Sequence, residues 1–291
     1  VYTAVLWIHV YQKEKAGFSF SIPIWKAIMV KMWPIAVSII FNVVYLKGDT
    51  IILSLFWPQE TVGIYGAAYR VIDILAQTAM MLMGLMLPIL AFNWSRNIKE
   101  EFRHRYQQAF DARMMLAFPM LIGILVLAKK IMVLVAGEEF AASGLALQIL
   151  ALAVFGVYLG AVFGHTAVAI NKQKQTMWIY ISDAVITLIG YLIFIPKYGI
   201  MGAAWMTVFS ELYAGILLWM TVRRYSGVSL EMKTFSKIVF SSLVMGSAII
   251  ILNELNVLLL VLIAAAVYGL FLLGLGGVSK KTIREIISAR G

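Results

Sequence analysis

The sequence predicts an all-α polytopic membrane protein, a helix bundle of eight full spans and one partial span. Three observations predict it. The chain is 62% hydrophobic and 13% charged, with a mean hydropathy of +0.91, outside the range of soluble globular domains. Eight apolar stretches can each cross a ~30 Å hydrocarbon core, which takes about 20 helical residues. The basic residues alternate loop by loop, the pattern of a positive-inside topology. That alternation argues against nucleic acid as the partner of the +10 net charge. With no cysteine, disulfides, thiolate metal sites and cysteine nucleophiles are excluded.

The opening VYTAVLWIHVY is about half a span and has no basic n-region or cleavage site. It therefore reads as the end of a truncated transmembrane helix (1–11), not a signal peptide, and the chain as the C-terminal part of a larger transporter. Full spans are expected near 27–56, 61–92, 112–135, 143–170, 174–195, 201–222, 235–253 and 256–276. The expected organisation is a six-helix transporter lobe (24–222), two additional helices (235–276) and an amphipathic tail (279–291). The first two spans exceed the length a crossing needs, so tilt, kinking or extension beyond the core is expected. Pro34, Pro88 and Pro119 lie inside spans, where a missing backbone donor favours kinks.

One set of loops carries Lys13, Lys15 and Lys26, then Arg96, Lys99, Arg103 and Arg105, then Lys172 and Lys174. The same side holds Arg223, Arg224, Lys233 and Lys237, and finally Lys280, Lys281, Arg284 and Arg290. The opposite loops hold WPQET, AGEEF, Lys197 and the Glu254 turn, with Lys129 and Lys130 as an exception near Glu138 and Glu139. The basic side and the C-terminus are therefore expected to be cytoplasmic, in a plasma (inner) membrane. In the tail, Ile283, Ile286 and Ile287 share one helical face opposite basic residues, as in a helix lying on a membrane surface.

The stretch from Asn42 to Gln77 organises the rest. It reads as two apolar helices joined at WPQET, with Asp49 ten residues before Gln59 and Arg70 eleven after it. Both sit roughly 15 Å below the turn, near mid-membrane. Charges at that depth mark a transport path or a buried pair; a structural Asp49–Arg70 bridge is the plainer alternative. Polar groups recur on one face at Lys31, Ser38, Asn42, Tyr45 and Asp49, and again at Arg70, Asp73 and Gln77. Lipid cannot satisfy such stripes, so they are expected to wall a wet cavity or face protein.

The 174–195 span carries Thr176, Tyr180, Asp183, Thr187 and Tyr191 on one face, and the 201–222 span carries Thr207 and Glu211. Asp183 and Glu211 fall mid-span, so each is expected to take up a cation or proton, or to hydrogen-bond as a neutral acid. Spans 112–135, 235–253 and 256–276 show no comparable core charge. His165 reads as a packed or hydrogen-bonded residue.

The segments GDTIILS…VGIYGAAYRV, GEEFAASGLALQILALAVF, NKQKQ and IPKYGIMGAAWMTVFSELY together resemble the C-terminal half of Wzx-type polysaccharide flippases. These are members of the multidrug/oligosaccharidyl-lipid/polysaccharide exporter (MOP) superfamily, which includes MATE exporters and is related to the lipid II flippase MurJ. The resemblance covers essentially all of residues 24–276. It implies two six-helix lobes plus two extra helices, with this chain holding the end of helix six and helices seven to fourteen. It further implies translocation of undecaprenyl-diphosphate-linked oligosaccharides to the outer leaflet by alternating access, for O-antigen, exopolysaccharide or capsule assembly. On this resemblance Asp49 matches a seventh-helix acid associated with cation coupling, and Arg70 an eighth-helix cavity arginine. Thr187 and Tyr191 stand where the MurJ branch often has Asn or Asp, a departure from its sodium-site pattern.

The leading reading is thus a flippase with Arg70, Lys47, Asn42, Tyr45 and Gln77 as substrate-binding residues. Asp49, Asp183, Glu211, Thr187 and Thr207 are the candidates for cation or proton coupling. No cofactor is expected beyond a coupling H+ or Na+, and no catalytic residue. The acids of the cavity stripes outnumber Lys47 and Arg70, so further positive charge for a diphosphate is expected from another lobe. The expected partners are the polyprenyl-diphosphate-linked oligosaccharide, membrane lipids, and a polysaccharide polymerase or chain-length regulator. A MATE-type drug exporter is the alternative within transporters. A membrane glycosyltransferase or polymerase is disfavoured by the absence of a D-x-D pair and of a long outward loop, and a scaffold leaves the mid-membrane acids unexplained.

Overall fold

The computed structural model describes residue 11 and residues 20–277. The helix end expected over 1–10, the basic residues Lys13 and Lys15, and the tail from 279 to 291 lie outside the described residues. Among the described residues, eight helices are long and apolar enough to cross a membrane, matching the eight expected full spans. They are α1 (Ile22–Phe56), α2 (Gln59–Ser95), α3 (Lys99–Ala136), α4 (Ser143–Ala169), α5 (Gln173–Tyr198), α6 (Ile200–Ser226), α7 (Lys233–Ile251) and α8 (Val257–Gly274). The helices run through Pro34, Pro88 and Pro119. The carbonyl of Pro34 accepts a 2.8 Å bond from the Ser38 hydroxyl.

The helix ends follow from local chemistry. Asn97 and Asn171 adopt left-handed φ values of 55° and 61° after α2 and α4, and the amides of Ile98 and Lys172 bond back to Asn93 and Ala167, closing the carbonyl ends. Gly199, at φ 55°, links α5 to α6 where a Cβ would also press on the Trp57 ring at 3.1 Å. Pro196 sits within the last turn of α5, so the glycine makes the turn.

The buried centre of the bundle is α4, against which α2, α3 and α6 all pack. Its small residues permit this: a Cβ on Gly156 would come within 2.7 Å of the Glu211 Cβ, and one on Gly144 within 2.9 Å of the Lys129 backbone. In a membrane, where lipid is as apolar as the side chains, such close backbone approach supplies much of the association energy. The Ser143 hydroxyl docks the start of α4 on the Ile64 carbonyl of α2 at 2.7 Å. The helices α7 and α8 pack on α3 and on each other, around Leu127, Met245, Ile249 and Leu260. Lys130 donates to the backbone carbonyl of Asn253 in the turn between them. That turn, not Glu138 or Glu139, is its partner.

The first hairpin opens away from its turn. From the turn at Trp57, whose indole donates to the Ile195 carbonyl at 2.8 Å, α1 lies along α5 while α2 lies along α4. The two helices meet near the turn and then separate. Their polar faces consequently flank a cleft backed by α4 and α5.

Candidate functional site

Four of the expected stripe residues line one cavity of about 390 Å³ in that cleft. Ser38 and Asn42 come from α1, and Thr176 and Tyr180 from α5; His165 of α4 and Gln173 complete its polar lining. His165 bonds through Nδ1 to the Ala161 carbonyl at 2.8 Å, the hydrogen-bonded role expected of it, while also facing the cavity. No carboxylate lines this space.

Beyond the cavity the polar groups continue inward as a connected path. The Asn42 amide donates to the Tyr45 hydroxyl at 2.6 Å, and Tyr45 in turn faces Glu211. Asp183 is the near charged neighbour of Glu211, and accepts a 3.0 Å bond from Thr187 through one oxygen. The other Asp183 oxygen, Oδ2, and Oε1 of Glu211 are buried and have no hydrogen-bond partner among the described residues. Gly156 lets α6 sit against α4 at Glu211 itself.

One turn further along α6, Thr207 accepts or donates a 3.0 Å bond with the Tyr191 hydroxyl and reaches Asp49 Oδ2 at 3.4 Å. Asp49 is fully buried. Its Oδ2 accepts a 2.6 Å bond from the Tyr65 hydroxyl, and its Oδ1 accepts from the Thr50 amide at 2.6 Å and the Thr50 hydroxyl at 3.2 Å. The structure thus gathers Asp49, Thr207, Thr187, Asp183 and Glu211 into one buried region with Tyr45 and Tyr191. Tyr65 is a member that the sequence reading missed, although it stands eight residues after Trp57, as Asp49 stands eight before it.

Two readings of the sequence are corrected, the first being the alternative of a structural Asp49–Arg70 bridge. Asp49 does not meet Arg70. Arg70 is exposed, with Gly63, Gly66 and Ala67 on a face of α2 turned toward Val135 and Phe140 at the end of α3, and among the described residues it makes no ion pair. Tyr65 and Tyr69 occupy the α2 face that meets α1, and at 100° per residue Arg70 cannot share it. The acid–base pair across the hairpin is instead Lys47–Asp73, at 3.0 Å with both side chains about half exposed. The Lys47 ammonium also lies 4.7 Å from the Tyr69 ring centroid. Gln77 is exposed and does not line the cavity around Asn42. The second correction concerns α3, read as free of core charge: Arg113 is 2% exposed. Its position beside the charged QQAFDA segment made it look like part of the solvated end of the helix.

Comparisons with known proteins agree with this fold. Residues 1–145 match a family described as polysaccharide biosynthesis protein. The chain is 29% identical over 174 residues to the probable low-salt glycan biosynthesis flippase Agl15 of Haloferax volcanii, covering 60% of this chain and 37% of that protein. It is 23% identical over 250 residues to the uncharacterized membrane protein MJ1068 of Methanocaldococcus jannaschii, covering 83% and 48%. The chain therefore spans less than half the length of these curated relatives. Among solved structures, the lipid II flippase MurJ in an inward closed conformation superposes with a TM-score of 0.72 at 18% identity, over 96% of this chain and 59% of that one. A MATE transporter in a straight conformation gives 0.61 at 18% identity, over 86% and 65%.

Proposed function

From the family matched over residues 1–145 and the fold shared with MurJ and MATE transporters, we propose that this chain is a member of the MOP superfamily and flips a polyprenyl-diphosphate-linked oligosaccharide across the membrane for surface glycan assembly. The observation that carries the reading is the cleft between α1 and α2. It offers neutral hydrogen-bonding groups to a sugar head, while much of α1 remains apolar and exposed, a surface suited to lipid. A lipid-linked glycan has both needs: a wet path for its head and lipid for its tail. In this reading the protein is a transporter, not an enzyme, and a polymerase or chain-length regulator acts on its product. Its basic helix ends face the cytoplasm in a plasma membrane.

The polar path supplies a means of coupling. Opening and closing of the cleft moves α1 against α5 and α6, the helices that hold Asp49, Asp183 and Glu211. A proton or sodium ion taken up by these acids changes the cost of burying them, and so biases one state over the other. Among the substrate candidates, Asn42 and Tyr45 stand at the cavity end of the path. Lys47 is held by Asp73, and Arg70 stands outside the cavity.

The test is full-length protein in vesicles carrying a fluorescent polyprenyl-diphosphate oligosaccharide. Flipping that depends on the protein and on an ion gradient is the expected result. Export of amphiphilic drugs without movement of the glycan lipid would establish the MATE-type alternative, which the fold alone also accommodates.

A further inference from the structure

Arg113 is buried behind the α4 wall of the cleft and makes no ion pair among the described residues. Its side chain is 2% exposed, and neither Nη1 nor Nη2 has a hydrogen-bond partner among the described residues. Its guanidinium lies 5.8 Å from the ring centroid of Tyr158, and its charge acts on His165. Tyr158, Ala161 and His165 follow at spacings of three and four, one face of α4. The guanidinium therefore runs along that face, whose members Ala161 and His165 line the cavity. Ala161 contributes only a methyl group to that face. Tyr158 does not compete for the donors: its hydroxyl is engaged with Thr78 of α2 and the Leu75 carbonyl.

A buried cation without an acceptor is among the costliest arrangements in a membrane protein. Two things make this one intelligible as a binding element. The planar guanidinium presents paired donors that match phosphate oxygens. Its depth also fits: Arg113 lies in the half of α3 that carries Lys99, Arg103 and Arg105, where the charged segment gives way to MMLAFPMLIGILVL. That is the level at which the phosphates of a membrane-anchored lipid lie. With no carboxylate in the cavity lining, a diphosphate entering beside His165 meets a positive field.

We propose that Arg113 is the diphosphate-binding residue of the cleft, receiving the anionic head of the substrate at the basic end of the bundle. This rests on the flippase reading, and it supplies from this lobe the positive charge that the sequence reading sought elsewhere. The chemistry recognised is a diphosphate, carried by a lipid or free in solution.

The experiment measures binding of undecaprenyl diphosphate, and separately of inorganic pyrophosphate, to full-length protein in nanodiscs. Arg113→Gln should weaken undecaprenyl diphosphate binding about tenfold or more, the loss expected for a charge-assisted bond, and Arg113→Lys should retain part. Gly160→Leu leaves the guanidinium in place and fills cavity space where a Cβ meets nothing within 4 Å. It should weaken binding similarly, and it carries the test if Arg113→Gln does not fold. Competition by inorganic pyrophosphate, lost in Arg113→Gln, would identify the diphosphate alone as sufficient; no competition would make the lipid-borne diphosphate the ligand. Wild-type binding that survives unchanged in the Arg113 and Gly160 variants would overturn this assignment while leaving the flippase reading intact. Failure of the wild-type protein to bind or flip any diphosphate lipid would overturn both.

Discussion

The Tyr65 hydroxyl donates a 2.6 Å hydrogen bond to the carboxyl group of Asp49, tying α2 to α1 one helical stretch below their shared turn. Tyr69 repeats the tie one turn on, donating to the Leu46 carbonyl at 2.6 Å. The hairpin is therefore pinned near its turn by tyrosines and free to open beyond them. Asp49 lies at the point where pinned and separating segments meet, which is where an ion or proton would have most leverage on the cleft.

Tyr65→Phe removes a donor from a fully buried acid. The loss should lower stability by about 1–3 kcal/mol, read as a fall in thermal unfolding temperature of the full-length protein in detergent. Combining it with Asp49→Asn should give less than the sum of the single effects, because the two groups are direct partners. Additive effects would place the stabilising role of Tyr65 elsewhere.

Lys47 and Asp73 should couple weakly and Arg70 should couple to neither. A half-exposed pair contributes about 0.2–1 kcal/mol, so Asp73→Asn and Lys47→Gln in a double-mutant cycle should show an interaction in that range. Arg70→Ala should leave expression and unfolding temperature near wild type, since the residue is exposed and makes no ion pair among the described residues. Poor insertion or degradation of the Arg70 variant would restore the structural bridge to Asp49 that the packing denies.

Gly156→Ala should be damaging where Gly160→Ala is not. A methyl group at 156 meets the Cβ of Glu211 at 2.7 Å and its backbone carbon at 3.0 Å, whereas at 160 it meets nothing within 4 Å. Overpacking of this kind costs about 1–3 kcal/mol, and here it would push α6 away from α4 at the acid pair. Comparison of the two unfolding temperatures checks it, and equal values would mean that the helices separate there without cost.

Much of this arrangement was legible in the sequence, and what escaped did so for identifiable reasons. Periodicity placed Ser38, Asn42, Thr176 and Tyr180 on faces that share a cavity, because a membrane leaves a polar stripe few other destinations. Periodicity says nothing about which helix lies alongside which. Chain adjacency places α1 beside α2, which left an Asp49–Arg70 bridge open as the plainer alternative. The Lys47–Asp73 bridge needed the true separation of the two helices. Arg113 was overlooked because a charge at the edge of an apolar run normally belongs to the solvated side, and only the packing of α2, α3 and α4 buries it.

The acid pair of α5 and α6 gives the last prediction. Asp183 spends one oxygen on Thr187 at 3.0 Å and leaves Oδ2 without a partner, while Glu211 leaves Oε1 without one. Were both merely structural, each would be expected to have its hydrogen bonds filled, since unfilled buried polar groups are costly. Two facing carboxyl groups in a low-dielectric site cannot both carry charge without a counter-ion, so the arrangement suits an ion or proton that comes and goes. Asp183→Asn and Glu211→Gln should each lose the gradient-dependent part of glycan-lipid flipping in vesicles. Binding of the diphosphate lipid should persist, because the cavity lining and Arg113 are untouched. Asp49→Asn should behave likewise, since its carboxyl group is reached by Thr207, one turn from Glu211 on α6. If all three variants keep full gradient dependence, the acids are packing elements and the coupling ion enters elsewhere. If binding and flipping fall together, the acids support the cleft itself, and the assignment of binding to one end and coupling to the other is wrong.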